Sequence, residues 1–205
     1  ITGSSKGSTS KLDYATIKYN TAGQQQWLMR FDGASHDTDV ATGIDLDVYN
    51  NVYVTGYSKS TPIGTTPGYF DYFTIKYANT NGSLMWQNKY DGGGIDKAWD
   101  ISVVSRGCAS NALQGGDIPC WDIDIYVTGQ SAGTGTNNDF VTLRYVEDGS
   151  SKWTNRFNGP TNASDAAYSL SANDDYPIVY AGGSFANDYG IIGITEARPF
   201  DNNNF

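Results

Sequence analysis

Histidine, cysteine and glutamate are scarce in this chain: 205 residues contain one histidine, two cysteines and two glutamates, and only 17% are charged. Each scarcity excludes something. A zinc site wants four ligands, and His36 lies far in sequence from Cys108 and Cys120. Ser35, His36 and Asp37 adjoin in the loop FDGASHDTDV, but neighbours in a loop do not converge as a Ser-His-Asp triad does, so His36 reads as a surface residue. The sequence has no CxxCH, no phosphate-cradling glycine loop followed by lysine, and no His/Glu metal triad. With Glu147 and Glu196 as the only glutamates, nothing selects a carboxylate pair for glycoside hydrolysis. No apolar run approaches the roughly 20 residues of a membrane span, and no window keeps the spacing of an amphipathic helix. The expectation is a protein without catalytic machinery of its own.

What is abundant points to sheet. The chain holds 24 Gly, 15 Tyr, 8 Phe and 5 Trp; glycine marks turns and aromatics favour pleated strands, so the predicted class is all-β. Its length suffices for one substantial core. A formal net charge of −9 repels phosphate backbones and anionic headgroups, which argues against nucleic acid and membrane partners. The acidity serves solubility, with a calcium-dependent or high-salt protein as the sharper alternative. Cys108 and Cys120 bracket one polar, Gly-rich stretch, GCASNALQGGDIPC, which predicts a disulfide and an oxidising compartment. The first residue is Ile1 rather than Met, so a removed signal peptide or a longer parent chain is expected.

Self-similarity decides the architecture. DYATIKYNTAGQQQWLMRFDG from Asp13, DYFTIKYANTNGSLMWQNKYDG from Asp71 and DFVTLRYVEDGSSKWTNRFNG from Asp139 align, placing Trp27, Trp86 and Trp153 together. After each block comes Asp-x-Ala-x-x-aliphatic: Asp39 to Ile44, Asp96 to Ile101, Asp165 to Leu170. Each unit closes on NVYVTGYS, DIYVTGQS or PIVYAGGS. Four short antiparallel strands per unit, repeated, make the blade of a propeller. The predicted blades span 11–58, 70–131 and 138–186, with residues 105–121 an inserted loop in the second. Residues 1–5 match the closing strand of a preceding blade, and 188–197 the opening strand of a further one. Three full blades and two partial-blade strands do not close a ring, so a longer parent chain or edge-to-edge association of copies is expected.

The pattern DYxTIKY, G-x-x-x-W, D-x-A-x-x-I, NVYVTGYS resembles the SBBP repeats, named for seven-bladed β-propellers. The resemblance covers nearly the whole chain and is weakest at Ala181-Gly182-Gly183, which replaces Val-Thr-Gly. It implies secreted or cell-surface bacterial or archaeal proteins, and modules within large chains. It supplies no catalytic residues.

Candidate sites are few. Trp27, Trp86 and Trp153 recur with the repeat and are expected in the core between blades. Trp99 and Trp121 break the repeat, and an aromatic near a polar loop can stack on a sugar. Asn81-Gly82-Ser83 and Asn162-Ala163-Ser164 fit the glycosylation pattern. Asp37 with Asp39, Asp45 with Asp47, Asp122 with Asp124, and Asp174 with Asp175 place carboxylates close together, as calcium ligands would be. Asp39, Asp96 and Asp165 are expected to hold turns by accepting backbone N–H bonds.

Three functions compete. The first is a non-catalytic extracellular or surface module for adhesion, display or assembly, whose partners are other chains, further blades or copies of itself. The second is a carbohydrate-binding propeller, with calcium as its one candidate cofactor. The third is a fragment of a propeller hydrolase or lyase. Fold alone licenses none of them.

Overall fold

A computed structural model describes residues 1–7, 11–60, 68–107, 121–133, 137–159, 162–173, 178–185 and 188–195; the side chains of 121, 185, 188, 189 and 191–195 are left aside. These residues form fourteen strands in four antiparallel sheets and, among them, no helix. The first sheet is β1 (Thr2–Lys6), β2 (Leu12–Tyr19) and β3 (Gln25–Phe31). The second is β4 (Asp39–Leu46), β5 (Val52–Lys59), β6 (Phe70–Tyr77) and β7 (Leu84–Tyr90). The third is β8 (Asp96–Gly107), β9 (Trp121–Ala132), β10 (Asn138–Val146) and β11 (Ser151–Phe157). The fourth is β12 (Ala166–Ala172), β13 (Ile178–Phe185) and β14 (Asp188–Thr195).

The sheets are out of phase with the sequence units. Residues 11–58 were expected to form one blade, yet β3 and β4 lie in different sheets, and likewise β7 and β8, and β11 and β12. The second and third sheets each take the last two strands of one unit and the first two of the next. The reason is hydrogen bonding: β5 and β6 pair without slip from Val52↔Tyr77 to Lys59↔Phe70. Ser60 N–H then donates to Tyr69 O at 2.7 Å beyond them, so the last strand of one unit and the first of the next are partners in one sheet. Between β3 and β4 the chain instead crosses to the next sheet. The expected insertion at 105–121 also narrows, since Ser105, Arg106 and Gly107 pair with Ile123, Asp122 and Trp121 and lengthen the β8–β9 ladder. Residues 196 and 197, expected to end the last strand, lie outside the described residues.

Three cores sit between successive sheets, one per junction. In β5, Val52 and Val54 face the first sheet and Tyr53 faces the third, because side chains alternate and this strand is covered on both faces. The same alternation sends Phe73, Ile75 and Tyr77 of β6 one way and Tyr72 the other. A Thr–Thr hydroxyl pair crosses the equivalent strands of the first three sheets, at 3.1 Å for Thr2–Thr16, 3.1 Å for Thr55–Thr74 and 3.0 Å for Thr128–Thr142. Their registers are therefore the same.

Candidate functional site

Each junction has a tight end where backbone meets backbone. Gly56, Gly129 and Gly183 lie opposite Ala41, Ala98 and Ala167, where an extra residue bulges out of the neighbouring strand. The bulge turns a carbonyl inward. A Cβ at Gly56 would meet Val40 O at 2.0 Å, at Gly129 Lys97 O at 2.1 Å, and at Gly183 Ala166 O at 1.9 Å. Into the same space the preceding sheet inserts a tyrosine. Tyr14 Oη donates to Phe73 O at 3.3 Å, and Tyr72 occupies the equivalent place with its Oη 3.5 Å from Val141 O. Burial pushes both phenols well above their ordinary pKa. The third junction uses Phe140, which has no hydroxyl.

Acidic clusters sit beside this end. Asp39, Asp96 and Asp165 each accept a backbone N–H, from Gly33, Gly92 and Gly159, at 2.7 Å each. Asp13 and Asp32 have oxygens within 4.8 Å of Asp39, as do Asp71 and Asp91 of Asp96. Desolvation raises the carboxyl pKa of Asp39, Asp71 and Asp96. A basic side chain at one repeated position opposes each cluster: Arg30 with Asp13 at 2.8 Å, Lys89 with Asp71 and Asp91 at 3.1 Å each, and Arg156 with Asp139 at 2.8 Å. Among the described residues these two triads could hold a metal, and the arrangement already supplies each with a side-chain cation.

The opposite end of each junction is a latch. The Trp27 indole lies over Gly82, and its Nε1–H donates to Asn79 O at 3.1 Å; Trp86 lies over Gly149 and donates to Glu147 O at 2.8 Å. Both glycines have positive φ, 74° and 87°, which the tight turns beneath the indoles require. Lys18 donates to Asn79 O at 2.9 Å. Lys76 is buried between Asp47 and Glu147, 3.6 Å from a carboxylate oxygen of each, with the Tyr53 ring 5.0 Å away. In the third sheet Arg144 meets Asp124 of β9 at 2.8 Å, so a strand carboxylate fills there the role that Asp47 and Glu147, just beyond the ends of β4 and β10, fill for Lys76. Trp153 sits half-buried by Tyr126, ring centroids 6.0 Å apart.

Two surfaces stand apart from this repeated packing. A groove of about 730 Å³ opens between the first and second sheets, with Ile17, Trp27, Ile44 and Leu46 among its lining. Elsewhere an aromatic strip crosses three sheets: Phe70–Tyr57 at 5.1 Å, Tyr57–Trp99 at 5.7 Å and Trp99–Tyr168 at 6.2 Å between centroids. Lys97 Nζ lies 4.8 Å from the Tyr57 ring. Trp99 and Tyr168 are the bulge residues of β8 and β12, and Tyr168 is 52% exposed.

The remaining sequence candidates scatter. His36 is exposed, with Nδ1 2.8 Å from Asp32 Oδ2, and this bond raises its pKa. Ser35 Oγ instead donates to Lys59 O at 2.7 Å, and Asp37 pairs with Lys11 and Lys59, which hold its carboxyl down to about 2. None of the three adjacent residues meets another of them through these bonds: His36 meets Asp32, while Ser35 and Asp37 meet the carbonyl and ammonium of Lys59. The carboxylate pairs separate too: Asp45 accepts Val103 N–H at 2.7 Å, whereas Asp47 accepts Tyr49 and Asn51 N–H in its own turn. Asn81 is exposed in a turn where its Oδ1 accepts Ser83 N–H at 3.0 Å, and Asn162 is exposed at φ 52°. Cys108, Cys120, Asp174 and Asp175 lie outside the described residues, as does the Trp121 side chain. The tyrosine–glycine lock is the feature that reading the sequence for chemistry missed; its signal was the joint recurrence of Asp-Tyr and Thr-Gly.

Comparison with known families and with curated proteins finds no match: no family model fits the chain and no curated protein is similar to it.

Proposed function

We propose that the chain is a run of β-propeller blades serving as a non-catalytic extracellular scaffold or interaction module. The observation that carries this reading is the junction repeated between successive sheets: tyrosine or phenylalanine against a glycine strand, an aspartate on a glycine N–H, and tryptophan against the next sheet. Such an array is quasi-one-dimensional, each unit stabilised by its neighbours. In the clusters Asp39 and Asp96 hold turns, and Asp13 and Asp71 pair with Arg30 and Lys89. Placement outside the cell rests on the acidic composition, the cysteine pair and the resemblance to SBBP repeats.

Lengthening the array tests the reading. A second copy of residues 39–95 inserted after residue 95 keeps the native junctions at its two outer ends and adds one between the copies, built from the same repeated positions. The array reading expects one cooperative transition at a higher midpoint than the parent chain. Loss of cooperative folding would overturn it.

A second reading, carbohydrate binding, is favoured by the aromatic strip, where an exposed Tyr168 adjoins Trp99 and Tyr57. Titration with oligosaccharides, read by tryptophan emission, should show saturation that Trp99→Ala removes. Calcium assistance predicts loss on chelation. No response to any sugar removes this reading.

A further inference from the structure

In the second, third and fourth sheets an inner strand, β4, β8 or β12, pairs with the Thr-Gly or Ala-Gly strand beside it. In the first sheet the equivalent strand is β1, and among the described residues its other edge has no partner strand. Three observations show what that edge is shaped for. First, Gly3 occupies the position of Gly56, Gly129 and Gly183. Those three need glycine because a bulged strand brings a carbonyl within 1.9–2.1 Å of a Cβ, whereas a Cβ at Gly3 meets nothing within 4 Å. Second, equivalent aliphatic residues differ in exposure. Ile101 and Leu170, each covered by the preceding inner strand, are 5% and 8% exposed, but Ile44 is 38% exposed. Third, the groove of about 730 Å³ lies in this place, bounded by Ile1 of the first sheet and Ile44, Asp45 and Leu46 of β4.

We propose that the β1 edge is a strand-acceptor site for the inner strand of a neighbouring repeat, an extended segment of the pattern Asp-x-Ala-x-x-Ile/Leu. Main-chain hydrogen bonds to β1 supply affinity, and alternate side chains supply specificity. The incoming alanine sits opposite Gly3, its bulged carbonyl fills the space a side chain there would take, and its following residues cover Ile44. At the other junctions the inner strand also accepts an N–H from the next one: Asp45 takes Val103 N–H at 2.7 Å and Asp100 takes Leu170 N–H at 2.8 Å. An incoming strand with an acid or hydroxyl at these positions reaches β4 likewise. This inference rests on the array reading above.

The test uses the full chain and a labelled peptide with the sequence of residues 37–48. Saturable binding is expected, with a blue shift of Trp27 emission as the groove closes. A scrambled peptide should not bind, and Gly3→Val should weaken binding at least ten-fold. The variant's far-UV spectrum and unfolding midpoint should match the parent's, because Gly3 faces open space. Absence of binding, equal binding of the scrambled peptide, or binding indifferent to Gly3→Val would overturn the site. So would a native mass of two chains with the peptide excluded, which would assign the edge to a second copy. Success of the residue 39–95 duplication alongside failure of the peptide would overturn the acceptor site alone.

Discussion

Between the second and third sheets the inner strands are in contact; between the first and second, the described residues of the first sheet include no strand that meets β4 in this way. At the former, a Cβ on Gly43 would meet Ile101 Cγ2 at 3.1 Å, and Asp45 captures Val103 N–H. At the latter, Tyr14 and Trp27 stand in the places of Tyr72 and Trp86, yet a groove bounded by Ile1, Ile44 and Leu46 opens beside them and reaches Trp27. The outer contacts therefore suffice to dock two sheets. The inner strand adds burial of one aliphatic residue per junction and side-chain hydrogen bonds, Thr42 Oγ1–H to Ala98 O and Val103 N–H to Asp45 at one junction and Leu170 N–H to Asp100 at the next.

The comparison breaks most sharply at the glycines. Gly56→Val forces a side chain into Val40 O and should cost roughly 4 kcal/mol, enough to unfold a marginal domain. Gly3→Val, at the same register position, should change the unfolding midpoint little; denaturant titration of both variants decides. Next comes the latch. Trp27 is almost fully buried and Trp86 only half, so Trp27→Ala should cost about 3–4 kcal/mol and Trp86→Ala clearly less. Equal losses would mean that burial does not rank the junctions. Smaller again is the tyrosine hydroxyl. Tyr14→Phe copies the third junction and should cost about 1 kcal/mol, the worth of one hydrogen bond, and the same change at Tyr72, whose contact is longer, should cost less.

The smallest effect belongs to His36, which lies on the crossing from the first sheet to the second. Its pKa is raised above 6.5 mainly by the hydrogen bond to Asp32. A raised histidine pKa stabilises the fold below 6.5, and that contribution is lost as pH rises through the folded value. An NMR titration should find the raised value in the parent and about 6.5 in Asp32→Asn. An unmoved pKa would mean that Asp32 does not hold the imidazole.

Strand identity was legible because β structure has a short period. Alternation in DYATIKY and NVYVTGYS marks strands without knowledge of their partners, and the recurrence of tryptophan marked a packed position. The partners themselves were not legible. The stretch after Ser58 looks like a break between units, and the crossing at FDGASHD looks like a turn within one. The tight asparagine and glycine turns were readable, whereas the bulges that push Trp99 and Tyr168 into the aromatic strip had no local marker.

Composition and alternation by themselves determined that this is an all-β protein with many turns, since both follow from local propensity and side-chain alternation. Only the tertiary structure decided which strands share a sheet, that Tyr14 and Tyr72 face glycine strands of the next sheet, and that Ile44 lies uncovered while Ile101 and Leu170 do not. Those are long-range outcomes. They depend on which backbone edges meet and how closely, and no run of neighbouring residues encodes that distance.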